Sequence, residues 1–149
     1  MSVKPKPVPE GYHSVTPALI VRGASKVLDF VTFAFAAKER MRMTNPDGSI
    51  GHAEVEIGDS VIMVSDATNE FPPMPGSVHL YVNDTDANYK RALKAGGTSV
   101  REPANQFYGD RSAGVRHPVG NIWWISTHIE DVSPVDMEER MKAQAKAPR

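Results

Sequence analysis

The chain has 149 residues, 18 Asp and Glu against 17 Lys and Arg, a net charge of −1 and no cysteine. The length suits one domain; a near-neutral balance with no basic block argues against nucleic-acid or anionic-membrane partners. The missing cysteines exclude disulfides, a thiolate nucleophile and Cys-ligated zinc or iron–sulfur centres. No run reaches the roughly 18 apolar residues of a membrane-spanning helix. The first ten residues lack the apolar stretch of a secretion signal, so a cytoplasmic location is expected.

Residues 1–12, with Pro5, Pro7 and Pro9, predict an extended arm. A strand is predicted over 14–21, with Leu19 and Val21 on one face and Thr16, Ala18 and Ile20 on the other. Over 24–36, Val27, Leu28, Val31, Ala34 and Phe35 recur at helical spacing. Strands follow at 39–44, 52–57 and 60–65, joined by Asn45-Pro46-Asp47-Gly48 and by a Gly58-Asp59 hairpin turn. Proline-rich residues 67–76 read as a linker. A strand is then predicted over 77–82. Next comes a helix over 84–94 that starts at an acidic cap and stops at Gly96-Gly97. Strands over 99–102, 111–117 and 122–127 complete the pattern. Ser133-Pro134, with Asp136 in the first turn, opens a C-terminal helix.

The pattern is written twice. Leu19-Ile20-Val21 recurs 61 residues later as Leu80-Tyr81-Val82, and Gly58-Asp59-Ser60-Val61 recurs as Gly120-Asn121-Ile122-Trp123. The expectation is an α+β chain of two β-α-β-β-β modules, 13–66 and 77–131. Their paired, curved mixed sheets would enclose a cavity, with a helical tail over 132–149. Two units too small to bury a core alone must pack together, which makes the cleft between them the natural ligand site.

Where one face of a sheet is covered by helix, alternation sends every second side chain to the other face. Ala53, Val55 and Ile57 go to the helix, and His52, Glu54 and Glu56 face the cavity. Val78, Leu80 and Val82 are core; Ser77, His79 and Tyr81 point inward. Arg116 is matched by the repeat to Glu54, and Trp124 points inward while Trp123 packs elsewhere. The candidate ligand-binding set is Thr16, His52, Glu54, His79, Tyr81, Phe107, Tyr108, Arg111, Arg116 and Trp124. Arg116 is either a bidentate anchor for an anionic ligand or an ion-pair partner of Glu54. Phe107 and Tyr108 are lid aromatics or core plugs, and Asp110 with Arg111 orders the loop beside them. Glu54 and His79 form the candidate acid–base pair of an enzyme. His13, His117 and His128 read as surface, structural and loop residues.

Several strings resemble the vicinal oxygen chelate superfamily of glyoxalase I, bleomycin-resistance proteins and extradiol dioxygenases, in its PhnB-like branch. They are Glu10-Gly11-Tyr12-His13-Ser14-Val15-Thr16-Pro17, His52-Ala53-Glu54-Val55-Glu56-Ile57-Gly58-Asp59-Ser60-Val61-Ile62-Met63, Gln106-Phe107-Tyr108-Gly109-Asp110-Arg111 and Pro118-Val119-Gly120-Asn121-Ile122-Trp123-Trp124. The chain departs from that pattern at Val31, at Ala36 where the family has Gly, and at Asn121 where it has His. The resemblance implies the glyoxalase/bleomycin resistance fold and a homodimer. It also implies four inward metal-ligand positions, which fall here on Thr16, Ile62 or Met63, Ser77 and Trp124. Apolar, alcohol and indole side chains do not hold a divalent metal. The expected protein is therefore metal-independent and without cofactor. It would bind a small planar or anionic molecule, for sequestration or an undetermined metabolic step. Two alternatives stand beside it. One is a metal-dependent lyase, isomerase or dioxygenase using His52, Glu54 and His79; the other is an interaction module without a small-molecule ligand.

Overall fold

A computed structural model, which describes residues 4–74 and 76–146, turns each half of the chain into one helix on one four-stranded sheet. Residues 1–3 of the arm, Pro75 of the linker and residues 147–149 of the tail lie outside those described. The first half gives β1 (Ala18–Val21), α1 (Ala24–Phe35), β2 (Lys38–Thr44), β3 (Ile50–Ile57) and β4 (Ser60–Asp66), in the spatial order β1-β4-β3-β2. The second gives β5 (Ser77–Tyr81), α2 (Thr85–Lys94), β6 (Thr98–Asn105), β7 (Asp110–Arg116) and β8 (Ile122–His128), in the order β5-β8-β7-β6. Pairing is parallel for β1 with β4 and β5 with β8, and antiparallel elsewhere. A last helix, α3 (Pro134–Lys146), buries no residue and is tied down through Arg140, which bonds Glu130 at 2.7 and 3.0 Å and the Phe107 carbonyl at 3.1 Å. The α+β architecture with a C-terminal helix is as expected.

Two strands differ from expectation. β1 begins at Ala18 rather than residue 14, because Pro17 has no N–H for the ladder. Only its carbonyl takes part, accepting from Met63 N–H at 2.9 Å. β6 extends past the expected 99–102 and through Pro103. As an outer strand with register shifts on either side of Arg101, it can accommodate a proline.

The helices show why the halves stay together. Val27, Leu28, Phe30, Val31, Ala34 and Phe35 of α1 are all buried. Phe30 and Phe35 reach across to Trp123 of the second sheet, with ring centroids 5.9 and 5.7 Å apart. Trp123 is fully buried, so one core spans both modules. The Asn88 amide of α2 donates to the Ala34 carbonyl at 2.9 Å, locking helix to helix.

The two helices start differently. Asp84 caps α2 in the expected way, accepting from Ala87 N–H at 3.0 Å. α1 has Gly23 at its N-cap and no local side-chain cap. Asp66, at the end of β4, serves instead. One carboxylate oxygen accepts from Gly23 and Ala24 N–H, the other from Ile50 N–H at 2.7 Å. Burial opposes ionisation of Asp66, but these three backbone donors outweigh it and hold its pKa below the ordinary carboxylate range.

α1 ends at Ala36, which adopts the left-handed conformation at φ 55°. An L-residue with a Cβ is disfavoured there by about 1–2 kcal/mol, while glycine is not. Ala36→Gly is expected to stabilise the fold by about 1 kcal/mol after glycine's greater unfolded-chain entropy is counted. Chemical denaturation should show a higher midpoint with an unchanged slope; a lower midpoint would contradict the strain assigned to Ala36.

Candidate functional site

Each sheet has one face on its helix and one face open, and alternation decides the residents of each. In β3, Ala53, Val55 and Ile57 are buried under α1 while His52, Glu54 and Glu56 lie on the open side. The cross-strand row through Glu54 runs Met41, Glu54, Met63, Ala18. That row fixes the register of β4: Met63 faces the open side, and Ile62 is core.

Glu54 is held on both oxygens. Tyr12, from the N-terminal arm, donates its hydroxyl to one, and His52 Nε2 lies 2.9 Å from the other. Arg40 sits over the Tyr12 ring, 5.2 Å from its centroid, and donates to the Glu10 carbonyl. The Tyr12 bond, with a smaller contribution from His52, keeps the Glu54 carboxyl below its ordinary pKa. Burial and the same bond push the Tyr12 phenol up to about 12. Glu54 is thus a committed carboxylate.

The open face of the second sheet is built on Trp124. Its row runs His79, Trp124, Gly114, Arg101. The indole lies against Gly114, where a Cβ would come within 2.5 Å of the ring. Arg101 stands over that ring at 5.4 Å, and Trp124 Nε1 donates to Ser77 Oγ at 3.0 Å. The next row holds Tyr81, Ser126 and Ser112. Ser126 donates to Ser112 at 2.9 Å, so His79 Nε2, 2.9 Å from Ser126 Oγ, is the donor in that contact. Beyond them the buried Asp110 accepts from the Tyr81 hydroxyl at 2.9 Å and pairs with His128 Nδ1 at 2.8 Å.

A groove of ≈ 730 Å³ runs between the modules, from Gly58-Asp59-Ser60 along His79–Asp84 to Asn88 and Arg91. A smaller one of ≈ 270 Å³ is lined by Thr16, Ile62, Val78 and His79. Thr16 therefore lies in the groove, ahead of β1 rather than within it.

The structure corrects several placements. Arg116 opposes Ile122 as Glu56 opposes Val61, so its counterpart in the repeat is Glu56 and not Glu54. Arg116 is exposed on the open side at the end of the sheet, and it forms no ion pair with Glu54. Arg111 points to the helix side, where Asp86 of α2 grips it at 2.6 and 2.9 Å. Phe107 and Tyr108 stack edge to face at 5.3 Å in the β6–β7 turn, both half-buried. His52, Glu54 and His79 do not come together within one chain. His79 belongs to the other sheet, and no cluster of three metal-ligating side chains occurs among the described residues. The four positions implied for a metal do not fit one either. Met63 is a thioether, Ser77 is engaged by the Trp124 indole, and Thr16 offers a lone hydroxyl.

Tyr12 and Arg101 escaped the sequence reading, and Asp110 and His128, read there as loop residues, lie instead in strands on the open face. Counting by twos from Trp124 reaches Ser126 and His128, and from Gly114 it reaches Ser112 and Asp110, so that signal was present. Tyr12 meets Glu54 across 42 residues and left no local trace.

With this geometry in hand, the chain was compared with known proteins. Residues 13–125 match the family model described as the Glyoxalase/Bleomycin resistance protein/Dioxygenase superfamily. The chain belongs to that superfamily. An uncharacterized protein of Mycobacterium bovis is 32% identical over 145 residues, covering 88% of this chain and 93% of its own. Among solved structures, TioX from Micromonospora sp. ML1 superposes with a TM-score of 0.62 at 20% identity, over 78% of this chain and all of TioX. TnmS3, an antibiotic binding protein from Streptomyces sp. CB03234, gives 0.59 at 21% identity, over 78% and 97%. At those identities the structures establish the shared fold.

Hydrogen bonds first to Asp110 and then to Asp131, the latter at 2.7 Å, raise the pKa of His128. The stabilisation from this ion pair is complete below the free-histidine range near ~6.5 and fades as pH rises through the raised folded value. Asp110→Asn should move the His128 midpoint downward in an imidazole NMR titration. An unmoved midpoint would break the link drawn between the two residues.

Proposed function

We propose that this protein is a metal-independent member of the superfamily, of the PhnB-like branch. It binds a small planar or anionic organic molecule between its modules, for sequestration or an undetermined metabolic step. The observation that carries this reading is the Trp124 platform: an indole packed on Gly114 with the Arg101 guanidinium over its ring. A planar ligand that takes the guanidinium's place over the indole gains about 0.5–1.5 kcal/mol beyond the area it buries. Arg101 and the exposed Arg116, which forms no ion pair among the described residues, offer planar forks for its carboxylate, phosphonate or phenolate. His79 and Tyr81, which line the ≈ 730 Å³ groove, supply further polar contacts of the kind small-molecule sites use. The antibiotic-binding TnmS3, built on the same fold, supports a binding role.

The reading includes a homodimer and a cytoplasmic location. For the dimer, Met41 and Met43 on the open side of the first sheet are 45% and 59% exposed, an apolar edge suited to a second copy.

Two measurements test the proposal. Calorimetric titration with a panel of aromatic carboxylates, 1-naphthoate first, should give saturable binding that Trp124→Ala weakens by about tenfold or more. Gly114→Val should act in the same direction by lifting the indole. Elemental analysis after incubation with nickel, zinc, manganese and iron should find no stoichiometric metal. One equivalent retained per chain after dialysis, or binding indifferent to Trp124, would overturn the reading.

A further inference from the structure

On the helix side of the molecule lies an open cleft of ≈ 430 Å³ that the Trp124 face does not share. Its floor and one wall come from α1, where Lys26, Asp29, Phe30 and Phe33 follow one another at helical spacing. The opposite wall is Lys94 at the end of α2, Ala95, and His117 with Pro118 from the β7–β8 turn. Both modules thus contribute, and α1 spans the gap.

Three features set this cleft apart from an ordinary dent between helices. The first is Phe33, which is 54% exposed although it sits on the same helix face as the buried Phe30. The second is the rim charge: Lys26 and Lys94 stand against the single Asp29, and none of the three forms an ion pair among the described residues. The third is His117, only 3% exposed, whose ring packs on Phe30 at a centroid distance of 4.8 Å. Burial, with the nearby Lys26 charge, lowers its pKa, so the ring is neutral at neutral pH. Its Nδ1 accepts from the Val119 backbone N–H at 3.3 Å, which leaves the ring proton on Nε2. Nε2 has no protein hydrogen-bond partner among the described residues, so a neutral donor remains in the wall of the cleft.

We infer that this cleft is a second binding site, for a small amphipathic monoanion: an aromatic or apolar body on Phe30 and Phe33, with a carboxylate or sulfonate head between Lys26 and Lys94 within reach of the His117 N–H. The volume suits a bicyclic ring with its head group. Two lysines on flexible stems favour a compact anion over a planar bidentate one. Asp29 works against the head group and limits affinity. The site is independent of the Trp124 face and stands or falls separately from it.

The test is amide NMR with naphthalene-2-sulfonate as probe, on the full chain. Saturable shifts are expected at Lys94, Ala95, His117 and Val119. Lys26→Glu combined with Lys94→Glu should weaken binding by about tenfold, since two exposed attractions become repulsions. Asp29→Asn should strengthen it, while Trp124→Ala should leave it unchanged; circular dichroism confirms that each variant is folded. The opposed signs of the lysine and aspartate variants are what a merely structural role would not produce. Shifts confined to β5 and β8, an affinity indifferent to both charge changes, or a linear unsaturable response would overturn the inference.

Discussion

One helix covers one face of a four-stranded sheet, and this chain has one helix for each sheet. Everything in the molecule follows from where those two helices go. They pack beside each other through Asn88 and Ala34, and α1 also reaches Trp123, so the covered faces close around a common core. Neither helix remains for the other faces. The first sheet's open face receives one outside visitor, the Tyr12 ring of the arm. The second sheet presents Trp124, Tyr81 and His79 on its open face, with the segment through Thr16 bordering it at His79. A fold that places both helices on a single core in this way leaves two sheet faces uncovered by helix.

Those surfaces share a polar logic. Each carries a carboxylate tied to one tyrosine and one histidine: Glu54 with Tyr12 and His52, Asp110 with Tyr81 and His128. The two sets sit at different points of the repeat, so they are convergent solutions rather than copies. In both, each carboxylate oxygen already has one protein partner, which fixes the neighbouring side chains. Arg101 and Arg116 are in the opposite condition, with no side-chain carboxylate bound to either among the described residues. The second sheet's open face therefore sets one hydrogen-bonded carboxylate, Asp110, beside two arginines, Arg101 and Arg116.

The faces of the strands were legible because alternation is a local property. The covered positions Val55, Ile57, Trp123 and Ile125, and the open positions Glu54, His79 and Trp124, can each be read from neighbours two residues away. Register was not legible, because the two hairpins differ in length. β3 turns into β4 through Gly58 and Asp59 alone, whereas β7 and β8 are joined by residues 117–121. Matching the halves by their strands without that difference slides Arg116 onto Glu54, two residues from its true counterpart, Glu56. Arg111 reads in the sequence as a loop residue beside the cavity, although counting by twos from Val115 already puts it on the helix side. β7 begins at Asp110, which puts the aspartate on the open face and the arginine under α2. Contacts between distant segments, such as Tyr12 with Glu54 or Asp66 with the start of α1, depend on tertiary closure and have no sequence period.

The Trp124 row also explains why the chain's departure from metal-ligand side chains is self-consistent rather than a single lost residue. The indole needs Gly114 beneath it, since any side chain there collides with the ring, and it needs Ser77 to satisfy Nε1. Returning a ligating histidine to position 124 would leave a gap above Gly114 and an unpaired Ser77 hydroxyl, and would still face Met63 and Thr16 elsewhere. Three neighbouring positions are thus adjusted to a flat aromatic surface. In such a row the indole is held from two sides, by its packing on Gly114 and by the Arg101 guanidinium over its ring.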